Sequence, residues 1–443
     1  MRQRTLSALL FGCTLSSVLA AATTTTRVST DGSGQQATAG SSFAADVDAT
    51  GNLVVFSSGA TNLVPADGNG LNDIFLKNQS SGAITLASRN TLGATATGTS
   101  NAPAISANGL VIAFNSAAAD LVVGDLNARA DIFVFNVAMS TVTRVSVATG
   151  GAEANGQSVG TPALSADGRF VAFESTATNL SALDNDAVTD IYRHDRQTGS
   201  TVLISQTTAG ALGGGSLGSN RPSISADGRF VAFESSRVLV ADDNNATGDI
   251  YLRDVQAGTT VRVNSSASGV FPSAGFSARP SISGSGQLIA FRSLANSLVP
   301  GDGTDTLRDI FIKNLQNGEI RRVTAPGGLD PNADSNELDL SSDGTVLIFH
   351  SLASNLISGD GNSQQDIFRL RLSSGLIERM STSSADTEAN DQSGFPRANA
   401  NGSVAAYESA ATNLVDADSN ARLDVFTSVI TVADAIFSNG FEL

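Results

Sequence analysis

Short apolar runs recur along the chain in groups of four, separated by turns rich in Gly, Asp and Asn. In one group the runs cover residues 163–165, 170–174, 191–194 and 201–205. Asp167 and Gly168 join the first two runs. An Asp-Gly pair between apolar runs favours a two-residue hairpin, because a type I′ turn requires positive φ. Each group therefore predicts four short antiparallel β-strands.

This group of four runs occurs seven times, at intervals of 58 to 60 residues. An aromatic residue marks the second run of each copy, at Phe56, Phe114, Phe173, Phe233, Phe291, Phe349 and Tyr407. A second marker, Asp-Ile-Phe or a close variant, begins the third run at Asp73, Asp131, Asp190, Asp249, Asp309, Asp366 and Asp424. Two markers in the same phase predict an all-β fold, a single seven-bladed β-propeller with four-stranded antiparallel blades.

The seventh copy lacks a fourth run, and a matching strand stands at the other end of the chain. Residues 24–29 (Thr-Thr-Thr-Arg-Val-Ser) resemble residues 141–146 (Thr-Val-Thr-Arg-Val-Ser), the fourth run of the second copy. We therefore predict that the N-terminal strand completes the last blade and closes the ring. Closure removes the exposed strand edges that an open array would leave.

The repeated motif Pro-x-Ile-Ser-x-Asp-Gly-x-x-Val-Ala-Phe-x-Ser resembles the repeats of TolB-type (WD40-like) β-propellers. The resemblance covers residues 24–432 and loosens in three copies. Asp46 and Asp339 stand in the first runs of copies one and six, and Ser285-Gly286 replaces Asp-Gly in copy five. The α/β domain that precedes the propeller in TolB is missing here, so the resemblance implies the fold and not a role in the Tol system.

The two ends of the chain read as an export signal and a tail. Residues 1–22 combine Arg2 and Arg4, an apolar stretch and a small-residue end, which is typical of a signal peptide. We therefore expect the propeller to span residues 23–432, with a C-terminal tail over 433–443. The mature protein is expected to be secreted or periplasmic, without a transmembrane segment. Cys13 lies in a string that resembles a lipoprotein signal, so lipid anchoring stays open as an alternative.

Composition and charge exclude some classes of partner. Hydrophobic residues make up 41% of the 443 residues and charged residues 15%, which suits a chain that buries a core. The net charge is −16 and Lys and Arg do not cluster, so we expect no binding to nucleic acid phosphates. Cys13 is the only cysteine, so cleavage of the signal would leave no thiol for a disulfide or a metal site.

The segment between the second and third runs carries an acidic pattern, Asp-x-Asn-x-x-x-Asp, in six copies. Its residues are Asp67, Asn69, Asp73, Asp125, Asn127, Asp131, Asp184, Asp186, Asp190, Asp243, Asn245, Asp249, Asp360, Asn362, Asp366, Asp418, Asn420 and Asp424. Copy five departs, with Asp302, Asp305 and Asp309 at a different spacing. Such residues can hold turns through bonds to nearby backbone amides. They also carry the oxygen ligands that Ca²⁺ prefers, so calcium is the one cofactor we expect to be possible.

Signals for an enzyme are few. Two Gly-x-Ser-x-Gly strings, at 156–160 and 214–218, lack the strand-turn-helix setting of a nucleophile elbow. His194 and His350 have no motif partner, and the first runs, which line a propeller's channel, offer mainly Ser and Ala, such as Ser165, Ser223, Ser225, Ser281 and Ser283.

Two classes of function therefore stay open. The preferred expectation is a non-catalytic, monomeric exported scaffold that binds a protein, peptide or glycan with its long, acidic loops. The alternative is a hydrolase or lyase with a channel site around Asp46, Asp48 and Asp339. Whether these three aspartates converge in the channel decides between the two.

Overall fold

The seven repeats fold as seven four-stranded antiparallel sheets, which are the blades of one ring. A computed structural model describes residues 22–431, apart from residues 66, 216, 246 and 302–305. The predicted seven-bladed propeller is confirmed. Most of the predicted signal, Cys13 and the tail lie outside the described residues.

Each blade consists of consecutive strands, except for the last blade, which also takes in β1. The strands of blades one to four are β2 (Ser42–Val47), β3 (Leu53–Ser58), β4 (Asp73–Asn78), β5 (Ile84–Leu86), β6 (Ser100–Ile105), β7 (Val111–Ser116), β8 (Asp131–Asn136), β9 (Thr141–Arg144), β10 (Ser158–Leu164), β11 (Phe170–Ser175), β12 (Asp190–Asp195), β13 (Ser200–Leu203), β14 (Ser219–Ile224), β15 (Phe230–Ser235), β16 (Asp249–Asp254) and β17 (Thr259–Arg262). The strands of blades five to seven are β18 (Ser277–Ile282), β19 (Leu288–Ser293), β20 (Asp309–Asn314), β21 (Ile320–Arg322), β22 (Ser335–Leu340), β23 (Val346–Ser351), β24 (Asp366–Arg371), β25 (Ile377–Arg379), β26 (Ser393–Ala398), β27 (Val404–Ser409), β28 (Asp424–Thr431) and β1 (Ala22–Arg27). A short 3-10 turn, Pro326–Gly328, follows β21.

The aromatic residues of the two sequence markers contact each other within each blade. In blade three, Phe173 of the second strand lies opposite Tyr192 of the third, and their rings stack with centroids 5.9 Å apart. An equivalent ring pair occurs in every blade, with centroids 5.7 to 6.1 Å apart. Because these rings are buried, the stacked pair forms the centre of each blade's core.

Neighbouring blades share their apolar cores. The cluster between the last and first blades joins Ala406 and Val425 of blade seven to Phe56 and Phe75 of blade one. No sheet buries both of its faces alone, so the ring is stabilised by packing of blade on blade.

The N-terminal strand closes the ring, as predicted. β1 pairs antiparallel with β28, from Ala22 opposite Thr431 to Arg27 opposite Phe426. The Ser29 hydroxyl also donates to Asp424 at 2.6 Å. The first and last described strands therefore hold each other in one sheet.

The two ends of the ring differ in structure. The short turns after the first strands lie at one end, which we call the turn face, and the long loops lie at the other, the loop face. At the turn face, backbone N–H groups donate to the carbonyl of the next blade, as in Ala49 to Ala107 at 3.0 Å and Ala400 to Ala49 at 3.3 Å. Such bonds continue through Ala166, Ala226, Gly284 and Ser342. This circle of bonds holds the turns of neighbouring blades in place at the turn face. The long loops at the other face are free of this constraint, and functional residues are commonly found on such loops.

Among the described residues, the search for a long apolar helix able to cross a membrane finds none.

Candidate active site in the central channel

The first strand of each blade lines a central channel that encloses about 620 Å³. These inner strands are β2, β6, β10, β14, β18, β22 and β26, and each runs from the loop face to the turn face. Each contains a bulge, where its register against the second strand shifts by two residues in β10 and by one residue in the other six strands. At the bulge Arg221 has φ 54° and Arg279 has φ 56°, and both residues line the channel. Bulges re-aim side chains, so this one places arginines near the loop-face mouth.

Below the bulge, one residue of each inner strand lines the middle of the channel. The pairing register places Asp339 of blade six, Arg397 of blade seven and Asp46 of blade one at this same level. The equivalent residues of the other blades are Ala104, Ala163, Ser223 and Ser281. The charged groups at this level therefore lie on three consecutive blades.

Asp46 and Asp339 each form a hydrogen bond to the next blade. Asp46 Oδ2 accepts from the backbone N–H of Ile105 at 2.8 Å, and Asp339 Oδ2 accepts from Ala398 at 2.9 Å. The hydroxyl of Ser223 accepts the equivalent bond from Ile282 at 3.1 Å. A serine is therefore sufficient for the link between blades, and the two aspartates add charge that the link does not need.

The channel raises the pKa of both carboxyl groups. Burial raises the pKa of Asp46 to about 6, opposed by the Arg397 guanidinium and assisted by the Asp339 carboxylate. Burial also raises the pKa of Asp339, again opposed by Arg397. Each carboxyl group senses the same arginine, so Asp46, Arg397 and Asp339 form one electrostatic unit. A carboxyl group with a pKa near neutrality can both accept and donate protons.

Above this level lies a group of arginines. Arg279 forms an ion pair with Glu337, and Arg221 Nε lies 3.6 Å from a carboxylate oxygen of Glu234. Burial and, to a smaller extent, the positive charges of Arg221 and Arg292 lower the pKa of Arg279 to about 9. An anion entering this region would relieve the repulsion between the guanidinium groups.

Arg397 differs from these arginines in its partners. Its Nη1 donates to the carbonyl of Pro396 at 3.2 Å. None of the carboxylates in the described part of the chain lies within 4.0 Å of its guanidinium. Arg397 is therefore a half-buried cation in the channel wall with bonding capacity left for an anionic ligand.

His350 lies beside this region and is neutral. Burial lowers its pKa to about 3, and Arg279 and Arg292 add to the effect. Gln365 Nε2 lies 2.9 Å from His350 Nδ1 and donates to the Ser393 carbonyl at 3.0 Å. Because the carbonyl requires a donor, the amide nitrogen also donates to Nδ1, and the ring proton is placed on Nε2.

The structure brings together two of the three aspartates proposed from the sequence. Asp46 and Asp339 share the channel, whereas Asp48 lies in the turn after β2 and accepts from Leu53 N–H at 2.9 Å. Ser165 and its equivalents Ser225 and Ser283 likewise hold turns instead of lining the channel, as in the bond from Ser165 to Asp167 at 2.7 Å. His194 is buried against Thr201, with Nδ1 2.8 Å from Oγ1.

Sequence reasoning missed Arg221, Arg279 and Arg397. A signal for them existed, because each is a charged residue in an inner strand where most sister copies carry small or apolar residues. The alternation of side chains between the two faces of a strand did not place these arginines in the channel, because the bulge interrupts that alternation.

The carboxylate oxygens of the acidic loops lie close together, but in most of these loops an arginine forms ion pairs with them. Asn127 shows the local arrangement: its Oδ1 accepts from Arg129 N–H at 2.8 Å and its Nδ2 donates to Asp131 at 2.8 Å. Three groups of acidic residues converge closely enough to hold an ion, Asp125 with Asp131 and Glu153, Asp184 with Asp186 and Asp190, and Asp360 with Asp366 and Glu388. In these groups Arg144, Arg237 and Arg379 respectively form ion pairs with the acids. Asp302 and Asp305 lie outside the described residues.

Neither a protein-family model nor a curated protein sequence matches this chain. Solved structures do match it. One is an oligogalacturonate lyase in complex with manganese, with TM-score 0.51 and 11% identity, covering 93% of this chain and 91% of that one. Another is the β-propeller domain of the Trilobed protease from Pyrococcus furiosus, with TM-score 0.53 and 11% identity, covering 89% and 98%. TolB from Agrobacterium tumefaciens matches at TM-score 0.39 and 17% identity, covering 68% and 87%.

The chain has the β-propeller fold that the repeat motif implies. At these identities the similarity extends to the fold alone, and the chemistry has to be argued from the channel.

The expectation of a non-catalytic scaffold was wrong. The propellers that this chain resembles come from enzymes, a lyase and a protease. The convergence of three aspartates, which was to decide between the two functions, is met in part: Asp46 and Asp339 line one channel and interact electrostatically, whereas Asp48 lies in the turn after β2. The candidate site is therefore the channel site around Asp46 and Asp339, without Asp48.

Proposed function

We propose that this protein is an exported lyase that cleaves short acidic saccharides in its central channel. The observation that carries the proposal is the unit of Asp46, Arg397 and Asp339, in which a cation without a close carboxylate partner lies between two carboxyl groups of raised pKa. Similarity to an oligogalacturonate lyase suggested the substrate class, and the arginines support it.

The arginines account for binding of a uronate carboxylate. Arg397 has free donors at the middle level, and Arg221 and Arg279 line the path from the loop face. Guanidinium groups bind carboxylates through paired N–H donors. Binding there would also make the proton on the adjacent carbon easier to remove, because a neutralised carboxylate stabilises the developing negative charge.

The two aspartates account for the proton transfers. In a β-elimination, a base removes the proton beside the carboxylate and the electron pair forms a C=C bond. The C–O bond at the next carbon breaks, and the departing oxygen takes up a proton. We assign the first transfer to the ionised member of the Asp46–Asp339 pair and the second to the protonated member. The pKa of Asp46, about 6, lies close to neutral pH, and burial raises the pKa of Asp339 above its ordinary value as well.

The channel residues do not provide a manganese site. The three acidic groups that converge within the described residues all lie at the loop face, and none includes Asp46 or Asp339. The similarity to a manganese-bound lyase is therefore not extended to a metal in this channel, and the proposed steps use the chain's own side chains.

The experiment is an assay for the unsaturated product, whose conjugated C=C bond absorbs ultraviolet light. We expect wild-type protein to produce it from oligogalacturonates and not from neutral oligosaccharides of equal length. Asp46→Ser and Asp339→Ser should reduce the rate at least ~100-fold, as expected for loss of a general acid or base. Both variants keep a hydroxyl for the bond to the next blade, as Ser223 does.

Ser223→Ala is the matched control, since it removes a link of this kind without removing charge, and its activity should stay near that of the wild type. New reducing ends without ultraviolet absorbance would identify a hydrolase instead of a lyase. Full activity in both aspartate variants would refute the channel site.

A further inference from the structure

An arginine lies within the acidic loop of blades two, four, six and seven, where it comes from the fourth strand. Its guanidinium lies within 4.0 Å of both the first and the last aspartate of the loop. The pairs are Arg144 with Asp125 at 3.2 Å and Asp131 at 3.6 Å, Arg262 with Asp243 at 3.6 Å and Asp249 at 2.7 Å, Arg379 with Asp360 at 3.7 Å and Asp366 at 3.4 Å, and Arg27 with Asp418 at 3.4 Å and Asp424 at 3.9 Å. These loops therefore contain their own cation.

The arginine occupies a fixed register position, opposite the aromatic residue of the third strand. In blade two Arg144 lies opposite Phe133, and in blade one the same position holds Leu86, opposite Phe75. Blade one therefore has the two aspartates, Asp67 and Asp73, without the arginine.

Blade three also has a leucine at this position, Leu203, but other groups compensate. Arg237, from the loop after β15, reaches Asp186 at 2.8 Å and Asp190 at 3.4 Å. The Tyr192 hydroxyl forms a hydrogen bond to Asp184. Blade one has Phe75 in place of this tyrosine, and Asp67 has no Lys or Arg within 4.0 Å among the described residues.

Asp67 is consequently left with an unused oxygen inside the protein. Its residue is 5% exposed, and its Oδ1 is buried with no hydrogen-bond partner among the described residues. Asp73 is fully buried, where its Oδ1 accepts from Ser88 at 2.7 Å and its Oδ2 accepts from Asn69 at 3.0 Å. Buried carboxylates without a counterion are costly, so the pair requires a cation or a proton.

The two carboxyl groups also act on each other. Burial raises the pKa of Asp67 to about 6, and the negative charge of Asp73 contributes to the increase. Among the described residues, no Lys or Arg lowers the pKa of Asp67 or Asp73 in the way that Arg144 lowers the pKa of Asp125 and Asp131.

We propose that the blade-one loop binds a calcium ion between Asp67 and Asp73, in the place that arginine occupies in the other acidic loops. Carboxylate and carbonyl oxygens suit a hard cation. Asp67 Oδ1 and Asp73 Oδ2 supply the charge. The Ala96 carbonyl, which accepts from Asn69 Nδ2 at 3.1 Å, adds a neutral ligand. Waters complete the shell, so the affinity falls in the weak range of extracellular sites, about 10⁻⁴ to 10⁻³ M.

The test is a thermal melt of the full-length mature protein in Ca²⁺ at several millimolar and in chelator. The wild type should melt a few degrees higher in Ca²⁺, because an ion that binds the folded state stabilises it by mass action. Asp67→Asn should abolish this difference. Leu86→Arg supplies the missing guanidinium, so it should raise the melting temperature in chelator and remove the response to Ca²⁺.

Asp125→Asn is the matched control in an arginine-containing loop, and it should keep the response to Ca²⁺. Equilibrium dialysis with radioactive calcium gives a second measure, with one ion bound by the wild type and none by Asp67→Asn. Equal melting of the wild type in Ca²⁺ and chelator, or a response that persists in Asp67→Asn, would overturn the proposal and leave a shared proton as the counterion. A Leu86→Arg variant that fails to fold leaves the dialysis comparison decisive.

Discussion

Asp46 and Asp339 show how a residue can serve the ring and the channel together. Each carboxylate accepts a backbone N–H from the next blade, which a serine hydroxyl does in blades four and five. A carboxylate has lone pairs beyond those that this bond uses. The same side chain can therefore hold two blades together and exchange a proton with a ligand in the channel.

The pKa of Asp46 gives a prediction at this scale. We expect its carboxyl group to titrate near 6 in the wild type, since burial raises its pKa and Asp339 adds to the effect. Asp339→Ser should lower this pKa by removing a negative charge. Arg397→Ala should raise it by removing the guanidinium that favours the ionised form. Carbon-13 NMR titration of the aspartate carboxyl carbons, assigned with Asp46→Ser, measures both shifts.

The pH dependence of the reaction follows from the same titration. One member of the pair must be ionised to act as the base, so the rate should rise as the pH increases through about 6. In Arg397→Ala the rising part of the pH–rate profile should move to higher pH, and in Asp339→Ser any residual activity should rise at lower pH, in line with the change in the pKa of Asp46. A wild-type Asp46 that titrates at its ordinary value, or shifts opposite to these, would show that the two aspartates and Arg397 do not act as one unit.

At the level of single residues, the sequence predicted the channel only in part. Asp46 and Asp339 stood out because the copies in blades two to five hold small residues at their positions. Asp48 was wrongly assigned to the channel. It lies two residues after the channel-lining Asp46 and already belongs to the turn that follows β2. The arginines in the acidic loops of blades two, four, six and seven were missed because they come from the fourth strand, beyond the turn that ends the third. Arg144, for example, follows Asp131 by thirteen residues and returns to it only through the sheet.

At the scale of elements, the sequence predicted the blades almost completely. Hairpin signals and the two aromatic markers act locally, so they specify each four-stranded sheet without knowledge of the rest. Gly168 has φ 70°, but Asp167 does not have a positive φ, so the Asp-Gly pair forms a turn without forming the predicted type I′ turn, which requires positive φ at both residues. The bulge in the inner strands was not predicted, because no Gly or Asn marks it in most copies, and it is set by packing around the channel.

β1 is the element whose removal tests closure. Deleting residues 24–30 would remove the partner of β28 and the buried Val28. The melting temperature should then fall by several degrees, and the unpaired edge of β28 should promote aggregation. A synthetic peptide of residues 22–30 should partly restore stability by strand addition.

Thr24→Ala is the control for that deletion, because Thr24 is exposed and its substitution leaves the backbone pairing intact. Its melting temperature should match that of the wild type. A deletion variant that melts with the full-length protein would mean that β1 contributes nothing to closure.

At the scale of the whole molecule, the ring creates a site that no single blade contains. Asp339, Arg397 and Asp46 come from blades six, seven and one, so their proximity depends on the closure that β1 provides. The circle of backbone bonds at the turn face holds the inner strands in a common register. The long loops leave the other mouth as the route for a ligand. The repeated motif therefore specifies the ring, whereas residues that depart from the repeat, Asp46, Asp339 and Arg397, form the candidate site.

The most direct test of this account is to locate an acidic saccharide bound to the protein. Crystals of Asp46→Ser, which we expect to be inactive and folded, would be soaked with a trigalacturonate, and its position determined by diffraction. We predict that the saccharide lies in the central channel with one carboxylate bonded to Arg397 and another part near Arg221 or Arg279. A saccharide bound on the outer surface of the blades, or a channel that holds only water at saturating saccharide, would contradict the account.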